Sequence, residues 1–498
     1  MLFLYSILAV TLASLLLNVH GQSPDELYQE LFVDVQLNRI FKDSKTFSDC
    51  IPLRSPQQIL ELYRNRTVTN FNLTEFVQKN FQEPPPPIEL LPEHANWTIV
   101  EHCHRLWPYL IRNSTTSDSS LLVLPNSFII PGGRFRESYY WDAYFIMLGL
   151  KQSNYSQLIS NMVENFAYLI RKYNHIPNGN RDYYLSRSQP PFFSLMIELL
   201  DSIVDEDLLV KYISELEQEY AFWMNNNGLT TGANRRLVQL PDGTKLNRYY
   251  DDISRPRPES YYEDYHTANN DTEIYLNIRA AAESGWDFST RWMINETDLS
   301  TIITTQILPI DLNCLMFNLE QVLSQAYQHK HDQSKSDSYA QLADKRKEAI
   351  IKYFWSDKEN FFMDYNFVQG THTRSISLAA MFPLWMKIAT NQQAKHVIDK
   401  IEQLFLKDGG LITTVSENSH QQWDAPNGWA PLQYISYKGI QNYEPTSPLI
   451  KEIINRWMKR NEQVFEKSGK MVEKYDVVNM NLDAGGGEYP TQVSLKFI

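Results

Sequence analysis

Apolar residues recur at three- and four-residue spacings through most of the chain after Gly149, and this helical periodicity constrains the fold more than any other feature of the sequence. The first such stripe comprises Leu158, Ile159, Met162, Val163, Phe166, Leu169 and Ile170. Comparable stripes follow at residues 193–204, 208–223, 312–327, 339–354, 376–388, 397–406 and 449–465. Long, polar, aromatic-rich connections separate them, so we expect paired helices that carry functional side chains on the connections at one end.

Strand signals are few, and the best of them predict one small β-hairpin. Residues 237–240 and 244–246 flank the turn residues Pro241, Asp242 and Gly243. No linker divides the 498 residues, so we expect a single domain over 22–498. Its first part, 22–113, has a mixed pattern and is expected to wrap the core as an arm, with the polyproline run 84–87 as an extended strap.

The amino terminus carries an apolar run, residues 2–19, followed by His20 and Gly21. This pattern predicts a signal peptide over 1–21, cleaved after Gly21. Because no Lys or Arg precedes the run, an uncleaved signal anchor is the alternative. No second run of about 18 apolar residues follows, so we expect a secreted, extracellular chain without a membrane span.

Sequons and cysteines agree with an oxidising, secretory compartment. The seven Asn-x-Ser/Thr sequons, which predict N-glycosylation, begin at Asn65, Asn72, Asn96, Asn113, Asn154, Asn270 and Asn295. The three cysteines fit neither a disulfide scaffold nor a metal cluster. Cys50 and Cys103 are candidates for one pair across the arm, whereas Cys314 lies in an apolar stripe and is expected in the core.

The charge of the chain argues against two classes of partner. A net charge of −13 and a pI near 5.4 disfavour nucleic acid and anionic membranes, which require clustered Lys and Arg. An aromatic content of 13% suits a protein that binds a neutral carbohydrate. The histidines show no metal-binding spacing such as His-Glu-x-x-His, and we expect neither a metal nor a cofactor.

Residues 131–145, PGGRFRESYYWDAYF, concentrate charged and aromatic side chains behind a Gly-Gly turn. Rings offer flat apolar faces to the C–H groups of a sugar, and Arg and carboxylate groups bond neighbouring hydroxyls. The stretch therefore indicates a carbohydrate site. The alternative is a turn that leads into an aromatic-rich core helix.

Two polar connections supply further candidates. Residues 174–191 contain Asn178, Arg187 and Gln189, which are directional hydrogen-bonding side chains. Residues 255–260 place Arg257 and Glu259 among prolines, which stiffen the loop and lower the cost of ordering it. From the residues alone, polar loops with turn residues are an equally good interpretation.

Two carboxyl groups stand out as candidates for glycoside hydrolysis, which needs one protonated and one ionised carboxyl. Asp287 is flanked by Trp286 and Phe288, and such rings would exclude water and raise its pKa. Glu488 follows three glycines, which would let the backbone pass close to a ligand. Either residue could instead be the buried partner of an arginine or a solvated loop acid.

The string at 131–145 resembles the first signature of the trehalase family, glycoside hydrolases that split α,α-trehalose, and QWDAPNGWAP at 422–431 resembles the second. Further family-like blocks lie between, so the resemblance covers about residues 43–492 and is closest to the secreted, soluble animal type. It implies a mainly α fold, the (α/α)6 barrel, which is a toroid of six helical hairpins. It also implies metal-free, inverting hydrolysis of trehalose to one α- and one β-glucose.

The same resemblance assigns roles to individual positions. It implies that Asp287 is the general acid and Glu488 the general base. The residues that it places at the sugar are Arg134, Trp141, Asp142, Asn178, Arg187, Ser188, Gln189, Arg257, Pro258, Glu259, Gly285, Trp423 and Trp429.

The match ends at Gln492, where trehalases usually continue with Gly-Phe-Gly-Trp-(Thr/Ser)-Asn-Gly and a further helix. From this departure we expect an apolar groove where that helix would close the ring, together with lower stability and activity. Two alternatives to an active trehalase stay open: a hydrolase of another α-glucoside, and a secreted sugar-binding or catalytically weakened glycoprotein.

Overall fold

The computed structural model describes residues 22–67, 69–84, 97–113, 119–204, 206–225, 228, 231–487 and 489–492. Several expectations from the sequence concern residues outside this set. They are the signal peptide, the sequon at Asn96, the polyproline run beyond Pro84, the proposed base Glu488 and the tail 493–498. These expectations stay predictions.

Helices dominate the described chain, as the periodicity predicts. The α-helices are Pro24–Leu37, Ser44–Ser48, Pro56–Arg64, Leu73–Asn80, Ile99–Leu110, Tyr140–Gln152, Ser156–Tyr173, Phe193–Asp201, Leu208–Lys211, Ile213–Met224, Tyr261–Ala268, Thr272–Glu283, Ile310–His329, Gln333–Phe354, Phe382–Trp385, Asn391–Lys400, Ala430–Tyr443 and Pro448–Ser468. Short 3-10 helices cover Asp182–Tyr184, Pro258–Ser260, Thr290–Trp292, Leu299–Thr301, Thr304–Gln306 and Leu378–Met381, and a π-helical turn covers Ile401–Phe405. The prediction of a mainly α fold is confirmed.

Local sequence explains where two of the long helices, Ser156–Tyr173 and Pro448–Ser468, end. Ser156–Tyr173 ends at Asn174, which adopts φ 62°, a left-handed conformation that Asn tolerates better than most residues. Pro448–Ser468 begins with a proline, which needs no intrahelical donor there, and ends at Gly469 with φ 65°. In both helices the apolar stripe faces the core, and the polar residues face solvent.

The helices pack in successive pairs. The pairs in contact include Tyr140–Gln152 with Ser156–Tyr173, Ile310–His329 with Gln333–Phe354, and Ala430–Tyr443 with Pro448–Ser468. Two further helices link the first members of these pairs: Phe193–Asp201 contacts Tyr140–Gln152 and Ile310–His329, and Phe382–Trp385 contacts Ile310–His329 and Ala430–Tyr443. The first members of the pairs and these two linking helices therefore contact one another in succession.

The described strands are short and mostly pair across loops. They are Ile51–Pro52 with Phe81–Gln82, Ile111–Arg112 with Phe128–Ile129, Trp355–Ser356 with Phe361–Phe362, Leu406–Lys407 with Gly410–Leu411, and Asn427–Gly428 with Tyr475–Asp476, together with the three-stranded set Ile307–Leu308, Tyr365–Asn366 and Thr371–His372. The predicted hairpin is confirmed, because Leu237–Gln239 pairs antiparallel with Lys245–Asn247. Gly232–Asn234 adds a third strand to it.

Three predicted stripes are not single helices. The stripe at 208–223 is divided at Tyr212, and that at 397–406 passes from Asn391–Lys400 into the π-helical turn and a strand. The stripe at 376–388 contains a 3-10 turn before the short helix Phe382–Trp385, where Pro383 occupies the first turn. Burial preserves the apolar spacing in each case, although the backbone changes its hydrogen bonding.

The amino-terminal arm is mostly helical where it is described, and it has a small core of its own. Leu31, Phe32, Phe47 and Ile59 form this core together with Cys50, whereas Cys103 packs in the main core. All three cysteines are free and buried. The proposed pairing of Cys50 with Cys103 is therefore wrong for this structure, because the two thiols lie in separate apolar clusters, while Cys314 is a core residue as predicted.

Two observations concern the sequons and the apolar character of the helices. The six described sequon asparagines are all exposed: Asn65, Asn72, Asn113, Asn154, Asn270 and Asn295. Among the described helices, none combines the length and the apolar character that a bilayer crossing requires.

An apolar groove opens beside the helix Tyr140–Gln152. Its other walls come from Ala430–Tyr443 and Pro448–Ser468, with Leu148, Tyr434 and Ile454 among the lining residues.

Candidate active site

A cavity lies among the polar connections, which is where a ligand site is expected when loops carry the functional side chains. Nearly all of the described site residues that the sequence predicts line this one cavity. They are Arg134, Trp141, Asp142, Asn178, Arg187, Gln189, Arg257, Glu259, Gly285, Asp287, Trp423 and Trp429. Residues that are far apart in the chain thus converge on one space.

Ser188 and Pro258 are predicted site residues that do not line the cavity. The Ser188 amide donates to Glu283 at 2.8 Å, and its hydroxyl donates to the Ile176 carbonyl. The Pro258 carbonyl accepts a hydrogen bond from Ser48 Oγ at 2.8 Å. Both residues anchor the loops that present their neighbours, which is a structural role behind the site.

Asp287 reaches the cavity from the turn that follows the helix Thr272–Glu283. Its carboxylate Oδ2 lies 3.9 Å from Arg257 Nη1, and its side chain is 31% exposed. The flanking rings do not enclose it as the sequence suggested, because Trp286 packs over Arg291 and Phe288 packs over Arg257. The carboxyl group therefore faces the cavity and a buried guanidinium rather than an apolar pocket.

Gly285 makes this turn possible. It adopts φ +75°, and a Cβ at this position would lie 2.8 Å from the indole of Trp141. Only glycine accepts that conformation without strain and also leaves room for the ring. The turn that carries Asp287 therefore lies against Trp141 of the first signature at Gly285.

Two buried charged residues, Asp424 and Arg291, hold the turn that carries Asp287 in place. Asp424 of the second signature accepts hydrogen bonds from Ser289 Oγ and from the amide and hydroxyl of Thr290. Burial raises the pKa of Asp424, while these donors oppose the shift. Arg291 is held by bonds to Asp311 and to Asp364. The loop that carries Asp287 is thus held by ionic contacts and hydrogen bonds to Asp311, Asp364 and Asp424.

Tryptophans form an aromatic wall of the cavity. Trp423 and Trp429 stack with centroids 3.9 Å apart and planes at 3°. Trp141 and Trp286 lie against Trp423 at 5.8 and 5.4 Å. These rings are buried, and rigid flat faces of this kind suit the C–H surface of a sugar ring.

Arg187 and Glu259 form a buried pair on the polar side. Arg187 Nη2 donates to Glu259 at 2.6 Å, and its Nε donates to Asn178 at 2.8 Å. Burial alone would raise the pKa of Glu259, but Arg187, Arg257 and Arg279 lower it below its ordinary value. Glu259 is therefore an ionised hydrogen-bond acceptor at neutral pH.

This polar side retains hydrogen-bonding capacity that the described residues do not satisfy. Arg187 Nη1, Glu259 Oε2 and Arg134 Nε are buried atoms without a hydrogen-bond partner in the described part of the chain. All three belong to residues that line the cavity. Buried polar atoms of this kind cost free energy unless something bonds them, so they indicate a polar ligand.

Two other arginines border the cavity in fixed orientations. Arg257 makes a two-pronged pair with Asp264, at 2.9 Å from Nε and 2.7 Å from Nη2. Arg134 donates to Asp43 at 2.8 Å and lies over the ring of Tyr489 at 4.4 Å. A guanidinium held in this way presents its remaining donors at defined positions.

Glu137, in the middle of the first signature, does not line the cavity. It is fully buried, where it pairs with Lys45 at 2.8 Å and Arg181 at 2.7 Å and accepts a bond from Tyr139. Burial by itself would raise the pKa of Glu137, but the two cations lower it well below its usual range. Of the charged residues in this stretch, Arg134 and Asp142 therefore line the cavity, whereas Glu137 belongs to a buried ion cluster.

Sequence reasoning missed several lining residues. They are Lys45, Phe135, Tyr139, Tyr184, Ser260, Ala282 and Tyr489. Phe135 and Tyr139 belong to the stretch already singled out, and their aromatic character was the available signal. Lys45 comes from the amino-terminal arm, and nothing in its local sequence points to the site.

The arrangement suits acid–base chemistry on a neutral, hydroxyl-rich molecule. Asp142, Glu259 and Asp287 place carboxyl groups among the lining residues, rings form one side, and arginine side chains paired with carboxylates form the other. In the described part of the chain, no group of three or more His, Cys, Asp or Glu side chains is placed to hold a metal ion.

Comparison with known families gives an independent result. The family description that matches residues 39–494 is Trehalase. The periplasmic trehalase of Salmonella agona is 45% identical over 481 residues, which cover 95% of this chain and 84% of that protein. The periplasmic trehalase of Salmonella paratyphi B matches to the same extent.

Solved structures agree on the architecture. Neutral trehalase Nth1 from Saccharomyces cerevisiae is similar with a TM-score of 0.61 and 26% identity, over 80% of this chain and 78% of that one. The GH63 mannosylglycerate hydrolase from Thermus thermophilus in complex with glucose has a TM-score of 0.52 at 12% identity, over 79% and 97% of the two chains. The second likeness concerns the fold alone. With the paired helices described above, these matches support the (α/α)6 class.

Proposed function

This chain belongs to the trehalase family, and from that premise we propose that it hydrolyses α,α-trehalose to two molecules of glucose, with Asp287 as general acid and Glu488 as general base. It is a glycoside hydrolase that needs no group beyond its own side chains for the acid–base steps.

The observation that carries this proposal is the unsatisfied polar side of the cavity opposite the tryptophan wall. Arg187 Nη1, Glu259 Oε2 and Arg134 Nε offer two donors and one acceptor that make no hydrogen bond to the described residues. A glucosyl unit presents hydroxyls around its rim and C–H groups on its faces. Such a unit would satisfy the polar atoms while it stacks on the rings.

In the proposed reaction Asp287 protonates the glycosidic oxygen as the bond to the anomeric carbon breaks. Glu488 accepts a proton from water as that water attacks the carbon from the opposite face, which inverts the configuration. Arg257, 3.9 Å from Asp287, stabilises the carboxylate that remains after the proton has left. The products are one β-glucose, formed at the attacked carbon, and one α-glucose, released as the leaving group.

The test is the turnover of Asp287→Asn and Glu488→Gln on trehalose, measured by coupled glucose release. Loss of a general acid or base costs about 10²- to 10⁴-fold in kcat, and folding should be unchanged because each swap is isosteric. Asp337→Asn and Glu466→Gln, at exposed helix positions, are the matched controls and should retain full activity. Near-normal turnover by either site variant would remove that residue from its role.

Substrate choice is tested in the same assay with maltose and sucrose. We expect glucose from trehalose alone. Release from maltose or sucrose without release from trehalose would identify a hydrolase of another α-glucoside. No release from any of the three would favour the non-enzymatic alternative.

We also propose that the protein is a secreted glycoprotein of the animal type, cleaved after Gly21. Support comes from the apolar run at 2–19, from the exposure of the described sequon asparagines, and from relatives that are named periplasmic trehalases. Expressed in a secretory host, the mature chain should begin at Gln22 and gain mobility on a gel after glycan removal. An intact Met1 on a membrane-bound product would show that the run is an anchor.

A further inference from the structure

Lys474 is a fully buried cation beside the glycine-rich segment 485–487. Its Nζ donates to Gln422 Oε1 at 2.6 Å and to the Gly486 carbonyl at 3.3 Å. The neighbouring Glu473 supplies a countercharge at 3.5 Å. A buried lysine is costly to desolvate, and a methionine would fill a similar volume at lower cost. The cation therefore calls for an explanation beyond packing.

Strand pairing fixes where this lysine stands. Tyr475–Asp476 pairs antiparallel with Asn427–Gly428, which belongs to the second signature. Lys474 immediately precedes that strand, so its side chain starts from a backbone held against residues 427 and 428. The position of Nζ relative to Gln422 is thus set by the sheet and not by a mobile loop.

Gln422 carries the contact onward to the acid. Its Nε2 donates to the backbone carbonyl of Asp287 and lies 3.4 Å from the Tyr489 hydroxyl. An ammonium group has donors only, so the amide must turn its oxygen toward Lys474 and its NH2 toward Asp287. Lys474 therefore fixes which way the Gln422 amide points.

The same Nζ holds the glycine-rich segment directly. Gly486 bonds to it through its carbonyl, and the Gly487 amide donates to the His420 carbonyl at 3.0 Å. The Tyr489 ring lies 5.4 Å from Nζ. One cation thus contacts residues on both sides of position 488 in the chain and, through Gln422, the backbone of Asp287.

We propose that Lys474 is a positioning residue for the reaction: it sets the relative placement of the segment that carries the acid and the segment that carries the base. This inference rests on the proposed roles of Asp287 and Glu488. Lys474 does not line the cavity in the described structure, so it acts through Gln422 and Gly486 and not on the substrate.

Two variants separate the contact of Lys474 with Gln422 from its contact with Gly486. Lys474→Met keeps most of the length of the side chain but removes the bonds to Gln422 and to Gly486. Gln422→Met removes the contacts of the Gln422 amide with Lys474, Asp287 and Tyr489 but leaves Lys474 bonded to Gly486. Lys470→Met, at an exposed position four residues away, is the matched control.

Kinetics on trehalose and on α-glucosyl fluoride give the first readout, because fluoride departs with far less proton assistance than a sugar alkoxide. A displacement of about 1 Å costs roughly a hundredfold in rate, so we expect Lys474→Met to lose about a hundredfold in kcat on trehalose with little change in KM. The loss of kcat in Lys474→Met should persist with the fluoride, because this variant also releases the segment that carries the proposed base Glu488. The loss of kcat in Gln422→Met should shrink several-fold with the fluoride, because this variant disturbs the segment that carries the proposed acid Asp287 and leaves the bond between Lys474 and Gly486.

Hydrogen exchange at the Gly487 amide gives a readout that needs no turnover. We expect faster exchange in Lys474→Met and wild-type exchange in Lys470→Met. If Lys474→Met does not fold, Gln422→Met decides through its kcat and its response to the fluoride. If the wild-type protein does not hydrolyse trehalose, the proposed function fails and this inference fails with it, whereas an active wild type with unchanged kinetics in Lys474→Met overturns the inference alone. Wild-type kcat, a change in KM alone, or unchanged Gly487 exchange in Lys474→Met would each overturn it.

Discussion

Gly285→Ala tests whether the turn before Asp287 sets the position of this proposed general acid. At φ +75° a residue with a Cβ pays about 1–2 kcal/mol in backbone strain. The new Cβ would also lie 2.8 Å from Trp141, and to reach an ordinary approach of 3.4 Å the contact must lengthen by about 0.6 Å. The substitution is therefore strained and overpacked at once.

The indole ring of Trp141 cannot move far, because other aromatic rings surround it. It is buried and packs against Phe145 at 5.9 Å, Phe192 at 6.1 Å and Trp423 at 5.8 Å. The turn must therefore take up most of the displacement and carry Asp287 with it. Overpacking adds about 1–3 kcal/mol to the strain, and a shift of this size should lower kcat on trehalose by roughly ten- to a hundredfold.

Gly243→Ala is the matched control. Gly243 has φ +86° with nothing within 4 Å of the added Cβ, so it shares the backbone strain without the clash. Thermal unfolding and coupled glucose release should show a larger fall in Tm for Gly285→Ala than for Gly243→Ala, and a loss of kcat in Gly285→Ala alone. Equal effects of the two substitutions on Tm and kcat would refute the reasoning from the Trp141 contact.

Three further predictions concern buried groups. Burial raises the pKa of Glu219 to about 8, with an opposing hydrogen bond from Tyr140. The unfolded state releases this proton near 4.5, so Tm should decline between those pH values as pH rises, and Glu219→Gln should flatten the decline. Asp424→Asn should leave buried donors unpaired, costing about 1–3 kcal/mol, and lower kcat more than it changes KM, whereas wild-type kinetics would count against its anchoring role. Titration of the unfolded, unreduced protein should find all three cysteines as thiols, and a single thiol would reveal a disulfide between Cys50 and Cys103.

Apolar spacing predicted most of the helical body because burial selects it directly. The stripe at 312–327 became Ile310–His329, and that at 449–465 became Pro448–Ser468. Spacing could not reveal where the backbone leaves the α-helix, as at the π-helical turn Ile401–Phe405, since the same residues stay buried there. The arm has a mixed pattern in the sequence because its short helices pack into a separate small core.

Most of the cavity could be predicted because family-like strings placed charged and aromatic residues in loops. Such strings do not show which neighbour faces the ligand, so Ser188 and Pro258 were included although they bond to the scaffold. Lys474 could not be predicted, because its role depends on a strand pairing and on Gln422, 52 positions away. Long-range contacts of this kind leave no local pattern.

The central claim, that this protein inverts configuration as it hydrolyses trehalose, is tested most directly by proton NMR of the anomers during the first minutes of turnover. The account predicts α- and β-glucose in equal amounts before mutarotation, because water attacks one glucosyl carbon and the other half leaves with its configuration intact. Release of α-glucose alone would indicate retention through a covalent intermediate and would contradict the roles proposed for Asp287 and Glu488.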